Sequence, residues 1–380
     1  MMNTVVRRIG RSDEGEMAKQ GLIPFFIPHI GCPQQCVFCN QHRIASGQVQ
    51  ATAEDVARTI EACTEGGRRH TQSFWEVAFY GGSFTALPAE RQERLLTPAW
   101  QALQRGAIQA IRCSTRPDAI DKAVIARLRR FGVTTVELGV QTMNQAMLDA
   151  SKRGHTTEDV IRAVALLNEA GFTVGIQLLP GLPGESWHTL VATAVAVAAL
   201  APDFIRIYPV VVVEDTELAD MMRRGEYTPL TTEEAIAYSA FLHSYMKSKG
   251  IPTIRIGLQA TEDFDKGIGL VGGPYEAAMG EMVVNYEYLM RMKTVLQSHQ
   301  AQWGQPDTVV VVYPRALTSK VRGLHNSNRE QMESLYDTVR WSWCEWGSRS
   351  WQRLIPIHRR WGTAEATIVQ MYIDGMAYVV

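Results

Sequence analysis

The sequence has few cysteines, no long apolar run and almost no net charge. Its 380 residues carry 38 lysines and arginines against 39 aspartates and glutamates, a formal charge of −1. This balance excludes a globally basic nucleic-acid coat and a highly charged disordered chain. The N-terminal residues lack the apolar segment of a secretory signal, so export is not expected. The most apolar stretch, residues 191–213, is interrupted by Asp203, Arg206 and two prolines, and is too polar to span a bilayer.

Three of the six cysteines, Cys32, Cys36 and Cys39, lie within eight positions. The remaining cysteines are scattered, and no second cluster follows. A secreted disulfide framework would distribute its cysteines differently, whereas a compact group in a reducing compartment is typical of metal binding. We therefore expect a cytoplasmic protein with one metal site.

Extended and helical patterns alternate along the first 300 residues. Helix starts are indicated by capping boxes at residues 52–55, 156–159 and 231–234. The predicted strands are Leu22–Ile30, Phe74–Tyr80, Ile108–Ser114, Val133–Val140, Phe172–Leu179, Phe204–Val213 and Thr253–Ile256. Successive strand–helix units of this kind predict an α/β fold, a full or partial (β/α) TIM-type barrel.

The pattern changes near residue 300. Residues 298–307 have the composition of a linker, and Thr308–Tyr313 is a further apolar run. The end of the chain predicts a hairpin in which Asp374 and Gly375 form the turn. We therefore expect a barrel over residues 1–300 and a small α+β accessory domain over residues 301–380.

The strongest chemical signal is the C-x3-C-x2-C arrangement of Cys32, Cys36 and Cys39, just after the first long predicted strand. That position is the carboxyl-end mouth of a barrel, where such folds carry their chemistry. Three thiolates leave one iron of a 4Fe–4S cluster free to bind another group. The alternative is structural zinc, with His42 as the fourth ligand. The position and spacing of the cysteines favour an iron–sulfur cluster over zinc.

These motifs resemble those of the radical S-adenosylmethionine (radical SAM) superfamily, and the resemblance covers most of residues 20–290. It includes Phe38, an aromatic residue beside the last cysteine. The resemblance implies a 4Fe–4S cluster on the three cysteines and S-adenosylmethionine on the fourth iron. It further implies reductive cleavage of that cofactor to a 5′-deoxyadenosyl radical, which abstracts hydrogen from the substrate. An electron donor such as flavodoxin or ferredoxin is implied as well.

The resemblance also implies roles for residues at the strand ends. The expected cofactor-binding positions are Gly81, Gly82 and Ser83 (through their backbone), Ser114, Arg116, Gln141, Arg153, Gln177 and Leu179. Arg153 would contact the cofactor's carboxylate. Glu137 and Tyr208 are the expected catalytic residues, Tyr208 as a radical relay or quencher. From the residues alone, a structural ion-pair set or solvent-facing positions are an equal alternative for Glu137, Arg206 and Arg255. For Tyr208, a packed tyrosine is the more common alternative.

More narrowly, Gly154-His155-Thr156 and Arg206-Ile207-Tyr208-Pro209 resemble segments of the radical SAM subunit of Elongator, which modifies wobble uridine in tRNA. Oxygen-independent coproporphyrinogen III oxidase is similar, though less closely. The cysteine spacing differs from that of Elongator, and only about 80 residues follow the barrel, so acetyl transfer is not expected. The first hypothesis is radical modification of tRNA or other RNA. The alternatives are radical chemistry on a small-molecule or porphyrin-like substrate, and a non-catalytic zinc-binding barrel.

An arginine- and tryptophan-rich segment near the end of the chain provides a second argument for RNA. Arginines that grip phosphates and aromatics that stack on bases suit RNA binding. The alternative is that the tryptophans form the core of the accessory domain, and the near-neutral charge favours that alternative. The residues concerned are Trp341, Trp343, Trp346, Trp351 and Trp361, interleaved with Arg340, Arg349, Arg353, Arg359 and Arg360.

Overall fold

A computed structural model describes residues 6–7, 19–27, 36–40, 51–65, 73–259, 262–349 and 368–380. The chain divides into two compact units, one of residues 1–238 and 245–277, the other of residues 239–244 and 278–380. The residues of the sequence analysis that lie outside the described ranges are Cys32, His42, Trp351, Trp361, Arg353, Arg359 and Arg360, together with residues 28–30 at the end of the first predicted strand.

The first unit is built on an eight-stranded sheet, ordered β1-β2-β3-β4-β5-β6-β7-β9. From β2 onward all neighbours pair in parallel, and β1 pairs antiparallel with β2. This sheet with its helices is the predicted α/β fold, in the form of a partial (β/α) barrel. The strands are β1 (Val6–Arg7), β2 (Lys19–Ile27), β3 (Ser73–Gly81), β4 (Ala110–Thr115), β5 (Thr135–Gln141), β6 (Thr173–Leu178), β7 (Phe204–Ile207) and β9 (Thr253–Ile256).

Helices connect these strands, and several begin at the predicted caps. Thr52, Thr156 and Thr231 each form the predicted capping box, and Ser186 forms a fourth that was not predicted. Each box satisfies backbone donors that the first turn leaves without partners. The helices are α1 (Ala53–Glu65), α2 (Ala89–Gln104), α3 (Lys122–Arg130), α4 (Gln145–Ala150), α5 (Thr157–Glu169), α6 (Trp187–Ala199), α7 (Glu217–Arg223), α8 (Thr232–Ser248) and α9 (Glu262–Asp265).

The strand predicted over Phe204–Val213 is interrupted. It ends at Ile207, two residues before Pro209, whose missing N–H cannot join a ladder. The chain then forms β8 (Val212–Val213), which pairs antiparallel with β10 (Leu270–Gly272) outside the main sheet. The break places Tyr208 at the carboxyl end of β7.

One face of the main sheet is apolar and the other is polar. Ile23, Phe25 and Ile27 of β2 are buried, as expected for the face of a parallel sheet that is covered by helices. The alternate positions of the next strands include Tyr80 of β3 and Glu137 of β5, whose side chains contact each other. Because the strands run in parallel, their carboxyl ends meet at one edge, and loops carrying the candidate site residues start there.

The second unit contains one long helix, α10 (Met279–Trp303), and a four-stranded sheet ordered β12-β11-β13-β14. The remaining elements are α11 (Thr318–Arg322), α12 (Ser327–Leu335), β11 (Thr308–Tyr313), β12 (Arg340–Glu345), β13 (Gln370–Ile373) and β14 (Met376–Val379). The predicted hairpin is confirmed, since Asp374 and Gly375 turn it with φ values of 44° and 90°.

The prediction of a linker from residue 298 is wrong as far as Trp303, because α10 continues to that residue. His299 explains the difference. It is buried, and its Nδ1 lies 3.0 Å from the Tyr378 hydroxyl, so the last turns of the helix pack inside the unit. Gly304 follows the last helical residue as its C-cap, and its φ of +88° suits a residue without a Cβ.

Two tryptophans of the arginine-rich segment belong to the core of the second unit. Trp341 and Trp343 stack with their ring centroids 5.8 Å apart. The Trp343 indole donates to Glu333 Oε1 at 3.0 Å, and the Trp341 indole donates to the Tyr336 carbonyl at 3.2 Å. Their polar atoms are therefore satisfied within the unit, which supports the core interpretation of these two residues.

Within the described ranges, none of the helices is both long enough and apolar enough to cross a bilayer.

Candidate active site at the carboxyl ends of the strands

The cysteine loop is held against the first unit by backbone hydrogen bonds on both sides. Val37 N donates to the Ser151 carbonyl at 3.2 Å, and Leu218 N donates to the Val37 carbonyl at 2.8 Å. Cys36 is buried, and Cys39 N donates to the Cys36 carbonyl at 3.1 Å, which makes a tight turn. In the described part of the chain no three metal-ligating side chains converge, and the first residue of the predicted trio, Cys32, lies outside it.

Arg153 brings a positive charge to this loop. Its Nη1 lies 3.3 Å from Cys36 Sγ, and its Nη2 donates to the Gly139 carbonyl at 2.6 Å. Gly139 permits this approach, since a Cβ there would lie 3.2 Å from Arg153 Nη2 and 2.9 Å from Gln141 Nε2. The structure thus joins Cys36 to the end of β5 through one guanidinium.

The paired glycines at the end of β3 pack directly against β2. Gly81 has a φ of +103°, and a Cβ there would lie 3.1 Å from the Ile27 backbone. Gly82 N donates to the Ile27 carbonyl at 2.8 Å. Ser83 Oγ contacts Thr115 Oγ1 at 2.8 Å, so this side chain is used inside the protein. The backbone of this segment remains the predicted binding element.

Several buried polar atoms at this edge have no partner among the described residues, namely Arg116 Nη1, Gln141 Oε1 and Arg153 Nε. Burying such atoms without hydrogen bonds is costly, and such positions commonly serve ligands or ordered water. Gln141 also has a φ of 72°, in the left-handed region that side chains rarely adopt. Together with the cysteines, these atoms fit a polar, partly anionic group such as a sulfonium amino acid bound beside an iron–sulfur cluster.

A network of charges fills the interior of the sheet below this edge, with Glu137 at its centre. Glu137 has no exposed surface. Its Oε1 accepts from Arg112 Nη1 at 3.0 Å and from Arg206 Nη2 at 2.9 Å. The Tyr80 hydroxyl donates to the same oxygen at 3.2 Å, and Gln177 Nε2 donates to Oε2 at 3.1 Å. Glu137 therefore links β3, β4, β6 and β7 to β5.

The network is close to electrically neutral. Arg112 also pairs with Glu76, so two carboxylates balance Arg112 and Arg206. Burial, followed by the nearby charge of Glu137, raises the pKa of Tyr80 above its ordinary value. The Tyr80 phenol is therefore a neutral donor at physiological pH. Glu137 and Arg206 were predicted from the sequence as polar residues inside apolar strands. Glu76 and Arg112 follow the same alternation of polar residues in strands but were not predicted.

The other predicted residues lie around this network. Tyr208 is half-buried, and its hydroxyl accepts from Arg206 Nη1 at 3.1 Å. Ser114 Oγ lies 3.3 Å from Gln177 Nε2. Leu179 N donates to the Gln141 carbonyl at 3.0 Å. Arg255 instead donates to the Gly257 carbonyl of its own loop at 2.9 Å.

His155 is a buried residue to which the sequence analysis gave no chemical role. It is 1% exposed. Burial, followed by the positive charges of Arg153 and Arg116, lowers the pKa of His155 to about 4. The imidazole is therefore neutral at physiological pH and adds no charge to this edge.

Comparison with known protein families agrees with this geometry. Residues 26–196 match the radical SAM superfamily, and residues 202–289 match the radical SAM C-terminal domain. The first match contains the cysteine loop and strands β3 to β6, and the second contains β7 and β9. The chain belongs to the radical SAM superfamily. It is thus a radical SAM enzyme, of a superfamily whose cofactors are a 4Fe–4S cluster and S-adenosylmethionine.

Individual proteins are similar over part of their length. A tRNA uridine(34) acetyltransferase of Methanocaldococcus jannaschii is 32% identical over 237 residues, which cover 57% of this chain and 43% of that protein. A heme chaperone HemW of Lactococcus lactis is 27% identical over 203 residues, covering 53% and 52%. This chain therefore spans less than two thirds of either relative.

One solved structure is similar in fold. It is the archaeal Elp3 of Methanocaldococcus infernus with an N-terminal deletion, at a TM-score of 0.56 and 25% identity. The similarity covers 72% of this chain and 63% of that one.

Replacing Glu137 with Gln should strongly destabilise the protein, because Arg112 and Arg206 would remain buried without one of their counter-charges. We expect the free energy of unfolding to fall by about 3–5 kcal/mol, measured by urea denaturation. The control is Glu217→Gln, which breaks the exposed pair with Lys152 and should cost about 0–1 kcal/mol. A loss for Glu137→Gln as small as that of the control would contradict the central role of Glu137.

The buried His155 predicts an acid-sensitive contribution to stability. Because its pKa is lowered to about 4 from 6.5, the unfolded chain takes up a proton before the folded protein does. His155 should therefore destabilise the fold as pH falls from 6.5 to 4, by on the order of 1–3 kcal/mol.

The free energy of unfolding of His155→Gln, measured at pH 7 and pH 4.5, should fall less on acidification than that of wild type. The matched control is His188→Gln, since His188 is exposed on α6 and its replacement should leave the acid dependence unchanged. Equal acid dependence in wild type and His155→Gln would show that His155 titrates normally.

Proposed function

We propose that this protein uses radical chemistry to modify RNA, with tRNA as the first candidate substrate. The observation that carries the proposal is the position of Cys36, buried at the carboxyl edge of a parallel sheet and contacted by a guanidinium. A cysteine held in this way, with two further cysteines on the same loop, suits an iron–sulfur cluster that keeps one iron open. The proposal does not include acetyl transfer.

The cofactor roles follow from the residues at the edge. Cys32, Cys36 and Cys39 would hold the cluster. The backbone at Gly81 and the buried polar atoms of Arg116 and Gln141 would contact S-adenosylmethionine. When bound, these two groups supply the reductive cleavage that makes a radical able to abstract hydrogen.

Glu137 and Tyr208 would contribute differently. Glu137 is saturated by its four neighbours, so we propose that it acts by holding Arg206 in place. Arg206 in turn donates to the Tyr208 hydroxyl, whose own proton stays available to a substrate. Tyr208 is therefore the better candidate for direct contact with the reacting molecule.

RNA is favoured over a small molecule because relatives at 32% identity carry tRNA modification in their names. Trp341 and Trp343 are used inside the second unit, so we propose RNA contact through the exposed arginines Arg340 and Arg349 of the same segment. An electron donor such as flavodoxin or ferredoxin would reduce the cluster. A reducing, cytoplasmic location follows from the need for free thiolates.

Cys36→Ala should abolish both cluster binding and cofactor cleavage. After anaerobic reconstitution and chemical reduction, wild type should bind about four irons and release 5′-deoxyadenosine, whereas the variant should release none. Cys63→Ala is the control, since Cys63 lies on α1 and not in the cysteine loop. Zinc without iron in the wild-type protein would contradict the proposal, as would full cleavage by Cys36→Ala.

The RNA substrate is tested by comparing modified nucleosides of cellular tRNA in strains with and without the protein. We expect at least one modification to disappear in its absence and to return with wild type but not with Cys36→Ala. Identical nucleoside profiles in all strains, from a protein that cleaves the cofactor, would refute RNA and favour a small-molecule substrate.

A further inference from the structure

Two neighbouring helices of the first unit, α2 and α3, carry basic side chains that pair with nothing. None of these side chains makes a hydrogen bond, an ion pair or a ring contact with another described residue. Exposed arginines elsewhere in the described part of this unit pair with an aspartate or glutamate, as Arg58, Arg162 and Arg223 do. The unpaired residues, which we call the basic strip, are Arg91, Arg94, Arg105, Lys122 and Arg129.

Positive charge is concentrated on these two helices, although the chain as a whole has a formal charge of −1. Together with their caps, α2 and α3 carry seven basic side chains against three acidic ones. One of the acidic residues, Glu93, is already shared by Arg127 and Arg130. Glu54 of α1 borders the same shallow surface hollow as Arg94, but the two make no ion pair. The surface therefore keeps a local excess of positive charge.

The stability of the helices does not account for this charge. The helix dipole makes a cation favourable in the last turn of a helix and unfavourable in the first. Arg129 lies in the last turn of α3. Arg91, however, lies in the first turn of α2, and Lys122 is the first residue of α3. Since the fold gains nothing from these two charges, a binding partner is the better explanation.

The strip follows the outside of the unit from one edge of the sheet to the other. Arg91, Arg94 and Arg105 lie on one face of α2, because their spacings are close to whole numbers of helical turns, and they span about 21 Å. The helix begins after the end of β3, at the edge that carries the candidate site, and ends before β4, at the opposite edge. One end of the strip is therefore on the same side of the sheet as the site.

The other helix widens the strip at the far edge. Gly132, just after α3, packs against Leu103 in the last turn of α2. The C-terminal ends of the two helices are therefore adjacent. Arg105 and Arg129 lie at these ends, and both are exposed, so they can contact one extended partner together.

We propose that the basic strip binds the phosphate backbone of the RNA substrate. The inference rests on the proposed function, which makes RNA the substrate. Four of the five side chains are arginines, whose planar guanidinium can donate two parallel hydrogen bonds to one phosphate. Phosphate contacts position a nucleic acid without reading its sequence. A strip that begins at the site edge would thus hold the RNA while one of its nucleotides reaches the site.

An acidic electron carrier is the other macromolecule that a basic surface could bind. Electron transfer becomes steeply slower with distance, so such a carrier must dock close to the cluster. Arg105 and Arg129 lie at the edge of the sheet opposite the cysteine loop, and the seven residues of β5 separate the two edges by about 20 Å. RNA is long enough to contact both edges, and the extent of the strip therefore favours RNA.

The test compares two triple variants that remove the same amount of charge. The strip variant is Arg94→Gln, Arg105→Gln, Arg129→Gln. The control variant is Arg162→Gln, Arg223→Gln, Arg224→Gln, in which every arginine replaced is exposed and paired with an acidic residue. The affinity of each reconstituted holoenzyme for tRNA, prepared from a strain that lacks the protein, is measured over a series of salt concentrations.

The strip variant should bind tRNA more weakly than wild type. Because three phosphate contacts are lost, the slope of log affinity against log salt concentration should become shallower by about 2–3. The control variant should keep nearly the wild-type slope. Both variants should release 5′-deoxyadenosine as wild type does under chemical reduction, since none of the replaced residues belongs to the candidate site.

Three results would overturn the inference while leaving the proposed function intact. They are wild-type tRNA binding by the strip variant, an equal loss in both variants, which would show a general effect of charge, and unchanged tRNA binding with slower reduction by flavodoxin, which would assign the strip to the electron carrier. A wild-type protein that binds no tRNA even at low salt would refute the proposed RNA substrate and the inference together.

Discussion

The interior of the sheet depends on the compensation of buried charge at Glu137. A carboxylate with no exposed surface is tolerated only when its desolvation is offset by well-placed donors. Here two guanidiniums, a phenol and an amide surround it. Since these donors come from four other strands, the same interactions that compensate the charge also fix the relative positions of those strands. Hydrogen bonds and ion pairs, rather than apolar packing, thereby hold the polar face of the sheet in place.

This rigidity matters for the edge above it. The cysteine loop, the glycine pair and Gln141 each begin where a parallel strand ends, and their spacing follows from the register of the strands. Ile27 pairs with Gly81, and Gly81 tolerates no side chain against the Ile27 backbone. Arg206 extends the network to Tyr208 through a hydrogen bond. A radical reaction needs its partners held close and away from competing reactions, and a preorganised, partly buried site provides this.

Much of the architecture could be predicted from local patterns, because those patterns are governed by local physics. The capping boxes at Thr156 and Thr231 satisfy donors within one turn, and the Asp374-Gly375 turn depends on the conformational freedom of two residues. The end of α10 could not be predicted this way. A polar segment around His299 has the composition of a linker, and only the distant Tyr378 shows that it is packed.

The candidate site likewise combines features that neighbouring residues determine with features that depend on distant contacts. The cysteine spacing and the glycine pair were visible because their chemistry is carried by adjacent residues. Arg206 was visible as a possible ion-pair partner of Glu137, but Arg112 was not, because it lies on the neighbouring strand and its second carboxylate, Glu76, one strand further. No local pattern states which charges meet.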